Sequence, residues 1–240
     1  MFLPFSITYR PLKCFVKGLV LIPAYQAEKH LGSVLKNVLI AFSKSGDVLV
    51  VDDGSSDGTA RIAQKYGVFI ISHRKNCGKG AALKSGFRFA IEKGYDYVIC
   101  LDADGQHDPL YIPSFRRMFE SGGFDLILGT RKLSPGHMPY DRYLSNRLSS
   151  VVASIAAGKR IHDSQSGYRL LSKNLIGKLR LRTQQYETET EILLQAVRNF
   201  NVKTGELPIT VSYGREESHI NRLKDTIRFL RVVLKSIGSN

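Results

Sequence analysis

Asp102-Ala103-Asp104-Gly105-Gln106 follows directly on the apolar run Tyr97 to Leu101. In an extended segment residues two apart point the same way, so Asp102, Asp104 and Gln106 would present three oxygen ligands to one side. Hard oxygen ligands of this type suit Mg2+ or Mn2+, and Mg2+ is commonly shared between one or two carboxylates and substrate phosphates. An EF-hand loop competes for this pattern, but its later acidic ligand and flanking helices are missing. A second acidic cluster, Asp52-Asp53-Gly54-Ser55-Ser56-Asp57-Gly58-Thr59, follows the run Val48 to Val51. Ser56 or Asp57 can cap a following helix and the glycines can supply turns, yet capping does not need two adjacent acids; a carboxylate here would hydrogen-bond a ribose or a base. Gly78-Lys79-Gly80 lacks the Walker spacing, so it reads either as a tight turn opening a helix or as a lysine facing a diphosphate at a helix N-terminus.

These residues need elements to place them. Gly18 to Pro23, Val48 to Val51, Val68 to Ser72, Tyr97 to Leu101 and Phe124 to Leu128 are short runs with continuous rather than alternating hydrophobicity, the mark of strands covered on both faces. Between them, 29–42, 57–66, 80–93 and 109–121 have helical period. The pattern βαβαβαβαβ predicts an α/β fold, a mostly parallel sheet flanked by helices, with ligands beyond the carboxyl ends of the strands. Later, 133–141 reads as a loop, 143–157 and 186–200 as helices, 202–213 as a strand and 221–237 as a final helix. No repeat or linker divides the chain, so one domain is expected: an N-terminal extension over 1–17, the main fold over 18–219 and a basic amphipathic helix over 220–240.

The 240 residues carry 35 Lys and Arg against 21 Asp and Glu, a net charge of +14, and 43% are hydrophobic. Disorder is excluded as the main state, and the charge calls for nucleic acid, a lipid surface or a phosphorylated substrate. Arg131 to Arg182 holds 11 basic residues against only Asp141 and Asp163, whereas Asp52 to Asp108 balances 8 against 8. Cys14, Cys77 and Cys100 have no metal-ligand spacing, and the histidines share none; a reducing compartment fits. Residues 1–18 lack the pattern of a secretory signal, and no stretch reaches the ~18 apolar residues of a membrane span. In 220–237 Ile220, Leu223, Ile227, Leu230, Leu234 and Ile237 form an apolar stripe beside Arg222, Lys224, Arg228, Arg231 and Lys235, which packs on the protein's core or lies on an anionic membrane.

Pro23-Ala24-Tyr25-Gln26, VVDDGSSDGT, Asn76-Cys77-Gly78-Lys79-Gly80, LDADGQHDP and LGTR, in this order, resemble the family 2 glycosyltransferases with a GT-A fold. HDSQSGYRLLSK, YETETEI and ELPI are similar to the branch typified by dolichol-phosphate mannose synthase and bacterial polyprenyl-phosphate glycosyltransferases. The resemblance runs from about Val20 to the end. It implies that Pro23, Tyr25, Val51 and Asp53 hold the base and ribose of a nucleotide sugar, with Glu28 one place beyond the family's acid. It further implies that Asp102 and Ala103 contact the ribose and diphosphate side, that Asp104 and Gln106 ligate Mg2+ or Mn2+ supported by Asp102, and that Arg131 lies near the transferred sugar. One of Glu187, Glu189 and Glu191 would face the acceptor, and His219 stands in the family's late phosphate element.

The expected activity is inverting, metal-dependent transfer of a hexose from GDP- or UDP-hexose to a polyprenyl (dolichyl or undecaprenyl) phosphate. The setting would be the cytoplasmic face of the membrane, with the protein peripherally bound. A lipid phosphate is already anionic and needs no strong base; it needs cations, for which Arg131, Arg142 and Arg147 are the candidates. A hydroxyl acceptor is the alternative and would need Asp163 as base, although Asp163 also reads as an acceptor for turn amides. A nucleic-acid-binding module is the remote alternative; the chain lacks interleaved aromatic and basic repeats, and no nucleic-acid partner is expected.

Overall fold

The computed structural model describes residues 16–42, 45–131, 140–200, 202–211 and 222–238. The five apolar runs form β1 (Gly18–Ala24), β2 (Gly46–Asp52), β3 (Phe69–Ser72), β4 (Tyr97–Cys100) and β5 (Leu126–Arg131). They are joined by α1 (Glu28–Phe42), α2 (Thr59–Lys65), α3 (Lys79–Glu92) and α4 (Ile112–Gly122). The rest contributes α5 (Tyr140–Ala157), β6 (Arg169–Ser172), α6 (Lys173–Lys178), α7 (Glu187–Leu194) with a π turn over Gln195–Asn199, β7 (Thr204–Ile209) and α8 (Arg222–Gly238).

All seven strands form one sheet in the order β3-β2-β1-β4-β6-β5-β7. β6 runs antiparallel to both β4 and β5, while the remaining pairs are parallel. The expected α/β architecture is therefore present, with one antiparallel strand and the short helix α6 that the hydrophobic runs did not reveal. Pro208 is accommodated because β7 is an edge strand, where a missing N–H breaks no internal ladder.

Alternate side chains of the buried strands face opposite layers. Leu19, Leu21, Leu49 and Val98 pack with Leu83 and Phe87 of α3 and Ile192 of α7, whereas Val20, Ile22, Val50 and Ile99 pack with Leu31, Leu35 and Val38 of α1 and Phe115 of α4. Each such side chain contributes roughly 1.5–3 kcal/mol on burial, so both layers are needed to hold the strand ends rigid. α8 packs on α7 and α5, burying Phe229, Val232 and Val233 with Leu194 and Ala156.

Candidate active site

The carboxyl ends of β1, β2 and β3 are tied together by side chains from the loops that follow them. Gln26, at φ 51°, donates its amide to Ser55 Oγ (3.0 Å) and accepts from Ser56 N (2.9 Å). Glu28 accepts from Gly58 N (3.0 Å), and the Glu28 amide donates to Asp57 Oδ2 (3.1 Å). Asp53 is buried and accepts from Cys77 N (3.0 Å) and Gly78 N (2.7 Å), with His73 Nδ1 at 2.6 Å; His73 Nε2 reaches Ser85 Oγ at 2.9 Å. Much of the acidic DDGSSDGT cluster thus builds the rim. Pro23 and Val51 sit opposite each other in the β1–β2 register and are buried, while Tyr25 stands half exposed above them.

Asp102 lies where β1 and β4 end. The strand stops at Cys100, and Ala103 and Asp104 form a turn through Gly105 at φ 76°. The extended alternation expected for Asp102, Asp104 and Gln106 is therefore corrected to a turn, closed by Gln106 N donating to Asp104 Oδ1 (2.9 Å). Asp102 Oδ1 is 2.6 Å from Lys79 Nζ, whose other partner is Glu189 Oε1 at 2.9 Å. Burial works against the charge on Lys79, but the two carboxylates outweigh it and raise its pKa. Burial would likewise raise the pKa of Asp102, but the basic groups around it, Lys79 foremost, together outweigh that and hold Asp102 below the usual carboxylate range. Gly167 packs on this carboxylate so closely that a Cβ there would stand 2.6 Å from Asp102 Oδ2.

The turn fits a hard divalent cation: it gathers a charged, partly exposed carboxylate, a second carboxylate and an amide, all oxygen donors. Asp53, His73 and Cys77 form the one cluster of three acid, His or Cys side chains among the described residues with ligand atoms within 4.8 Å. Its ring nitrogen and thiol suit a softer metal than Mg2+, and Asp53 is already engaged by two backbone amides.

Arg131, at the end of β5, forks onto Asp163: Nε to Oδ2 at 2.6 Å and Nη2 to Oδ1 at 2.8 Å, with Arg131 N also donating to Oδ2 (3.2 Å). Asp163 is fully buried and accepts from Gln165 N as well (3.3 Å). Both sequence readings of Asp163 thus meet a carboxylate already engaged on both oxygens. Arg147 is exposed on α5 and bonds Tyr143 OH. The Arg142 side chain, Cys14 and His219 lie outside the described residues.

Two residues make contacts at this site that the sequence does not reveal, Glu189, singled out only for the acceptor side, and Arg169. Glu189 reaches Lys79 because α7 sits against the start of α3, where Gly80 lies against Thr188. Buried Arg169 donates to the carbonyls of Ser166 (3.2 Å) and Glu189 (2.9 Å), locking the loop before β6 to α7.

His107, grouped above with the non-ligating histidines, is buried with Nε2 3.9 Å from Asp102 Oδ2, and its Nδ1 has no hydrogen-bond partner among the described residues. Burial lowers its pKa from 6.5 to about 4, against the opposing pull of Asp102. The unfolded chain then binds this proton more readily than the folded one, so stability is fully present above pH 6.5 and is lost as pH falls toward 4. Urea titrations should show the wild type losing about 2 kcal/mol more than His107→Gln between about pH 6.5 and 5. Parallel acid limbs in the two proteins would refute the assignment.

The family model for glycosyl transferase family 2 matches residues 19–180. The UDP-N-acetylglucosamine–dolichyl-phosphate N-acetylglucosaminyltransferase of Methanococcus voltae is 31% identical over 81% of this chain and 85% of its own. The polyprenol monophosphomannose synthase of Mycolicibacterium smegmatis is 29% identical over 85% of this chain and 79% of its own. Among solved structures, glucosyl-3-phosphoglycerate synthase from Mycobacterium tuberculosis, in complex with Mn2+, uridine diphosphate and phosphoglyceric acid, superposes with a TM-score of 0.75. It is 19% identical, and the match covers 92% of this chain and 78% of that one. The chain belongs to glycosyl transferase family 2, and it is a glycosyltransferase.

Proposed function

We propose that this glycosyltransferase moves a hexose or hexosamine from a nucleoside diphosphate sugar to a polyprenyl phosphate. The observation that carries the reading is the Asp102–Lys79–Glu189 network at the strand ends, beside an all-oxygen turn. Asp102, Asp104 and Gln106 would hold Mg2+ or Mn2+, which when bound neutralises charge on the departing diphosphate. Lys79 adds a buried cation on the same side, and α3, which it opens, directs its N-terminus there. Pro23, Tyr25, Glu28, Val51, Asp53 and Ala103 would frame the base and ribose, with Asp53 acting by fixing the 73–78 loop. Glu187 Oε2 lacks a hydrogen-bond partner among the described residues and offers an acceptor for a sugar hydroxyl.

On the acceptor side Arg131 supplies a guanidinium whose fork is set by Asp163, and Arg142 and Arg147 add cations from the following helix. An anionic phosphate oxygen attacks the anomeric carbon without prior deprotonation, so the engagement of Asp163 by Arg131 costs this reaction no base. A hydroxyl acceptor would need that base, and nothing in the geometry favours it. Polyprenyl phosphate acceptors in the names of relatives at about 30% identity support the same choice.

The test is a product assay with GDP- and UDP-sugars, pairing undecaprenyl or dolichyl phosphate against free saccharide acceptors, with and without a chelator. Lipid-linked sugar that disappears on chelation and returns with Mg2+ or Mn2+ is expected. Transfer confined to hydroxyl acceptors, or unaffected by metal removal, would overturn the proposal.

A further inference from the structure

α5 and α8 lie side by side, and each is apolar on two opposite faces. α5 turns Ala153 and Ala156 inward, and Val152, Ala156 and Ala157 meet Phe229, Val232 and Val233 of α8 in one shared cluster. The inward faces explain why the helices dock. They do not explain the outward faces. On α5, Leu144, Leu148, Val151 and Ile155 recur at steps of four, three and four and so form one stripe. On α8, Ile227, Leu230 and Leu234 recur at steps of three and four, opposite the buried trio. All seven are between 45% and 74% exposed. A surface helix of a globular protein normally carries one apolar stripe, so a second stripe on each of two touching helices is an apolar surface without an intramolecular role.

Charge selects the occupant. Over α5 and α8 the sequence holds seven Lys and Arg against two acids, Asp141 and Asp225, and Lys159 and Arg160 follow α5 directly. A second copy docked face to face would set these cations against their own equivalents, which like-charge repulsion disfavours. A nucleic acid would meet the cations but gain nothing from the leucines. An anionic bilayer accepts both, with apolar side chains entering the acyl boundary and Lys and Arg at the headgroups.

We propose that the outward faces of α5 and α8 together form a docking plane for an anionic lipid surface. This rests on the polyprenyl-phosphate reading only for its purpose: α5 starts nine residues after Arg131, so the plane and the acceptor-side arginine belong to consecutive elements. Among the described residues no helix is long and apolar enough to cross a membrane.

The experiment is flotation of the full chain with vesicles of phosphatidylcholine and phosphatidylglycerol at about 3:1, free of polyprenyl phosphate, against pure phosphatidylcholine. Variants are Leu148→Asp, Ile155→Asp and Leu234→Asp, with Ile40→Asp as control because Ile40 is equally exposed on α1, outside the plane. The wild type and the control should float with the anionic vesicles, and each plane variant should bind at least about tenfold less while keeping its unfolding temperature. Wild type that stays unbound, that sediments as a dimer in place of binding, or that is weakened equally by Ile40→Asp would overturn the proposal. So would unfolding of all three plane variants, because it would mean that the chain itself covers this face. Transfer to a short, water-soluble prenyl phosphate is measured in parallel and should survive in the plane variants. Its absence in the wild type would count against the acceptor reading and leave the flotation result standing.

Discussion

Asp102→Asn should lower kcat/KM for sugar transfer by about 10³-fold or more while leaving the protein folded. The substitution keeps the shape of the side chain and removes its charge, which is what both the proposed cation site and Lys79 use. Lys79 then retains Glu189 at 2.9 Å, so its buried ammonium is not left alone and the stability loss should stay near that of a weakened pair. Glu189→Gln sets up the converse: Asp102 still pairs with Lys79, the charge at the turn is preserved, and the loss of activity should be smaller. The two variants together separate a charge that acts on the ligand from one that acts on Lys79. Steady-state kinetics and thermal unfolding of both decide the matter. An Asp102→Asn enzyme within tenfold of wild type would remove the turn from the chemistry, and a wholesale loss of folding in Glu189→Gln would show the network to be structural.

The legibility of this site followed the physics of each residue. Asp102 was readable because the apolar run before it can only be a buried strand, and a carboxylate directly beyond such a strand stands at the ligand edge of an α/β sheet. Its neighbours were assigned to the right turn by the wrong geometry, since Gly105 at φ 76° breaks the extended alternation on which the spacing argument relied. Lys79 was legible as a helix-opening lysine, but its pairing with Asp102 and Glu189 was not, because Glu189 arrives from a helix more than a hundred residues away. Arg131 and Asp163 were each singled out and assigned separate tasks; that they are one bidentate pair is a tertiary fact with no local signature.

The missing strand has the same origin. β6 holds only two large apolar residues and opens on Arg169, a charge that sequence reading places in water. In the fold that guanidinium is buried and satisfied by main-chain carbonyls, which a hydrophobic-run criterion cannot detect. α5 was legible as a helix over 143–157, but not which way it faces: an outward apolar stripe and an inward one have the same spacing, and only packing tells them apart.

Asp163→Asn should be the most destabilising single change near the site, costing about 3–5 kcal/mol. Asp163 is fully buried, and removing its charge strands Arg131, whose side chain is largely buried and whose Nε and Nη2 both point at it. Arg131→Lys should not restore what Arg131→Met loses, because an ammonium cannot reproduce the fork or present a fixed plane to a phosphate. The decisive comparison is the double variant Arg131→Met with Asp163→Leu. Taking out both charges replaces a buried pair with apolar contacts, so much of the stability should return even as transfer stays abolished. A merely structural pair would give a double variant that is both stable and active. If Asp163 were a general base, the acidic limb of the pH–rate profile would disappear in Asp163→Asn and persist in Arg131→Met, whatever the loss of stability. Denaturant unfolding, the pH profile and the two-variant cycle distinguish these three outcomes, and the proposed function expects the first: a carboxylate that aims an arginine, and an arginine placed to receive the acceptor phosphate.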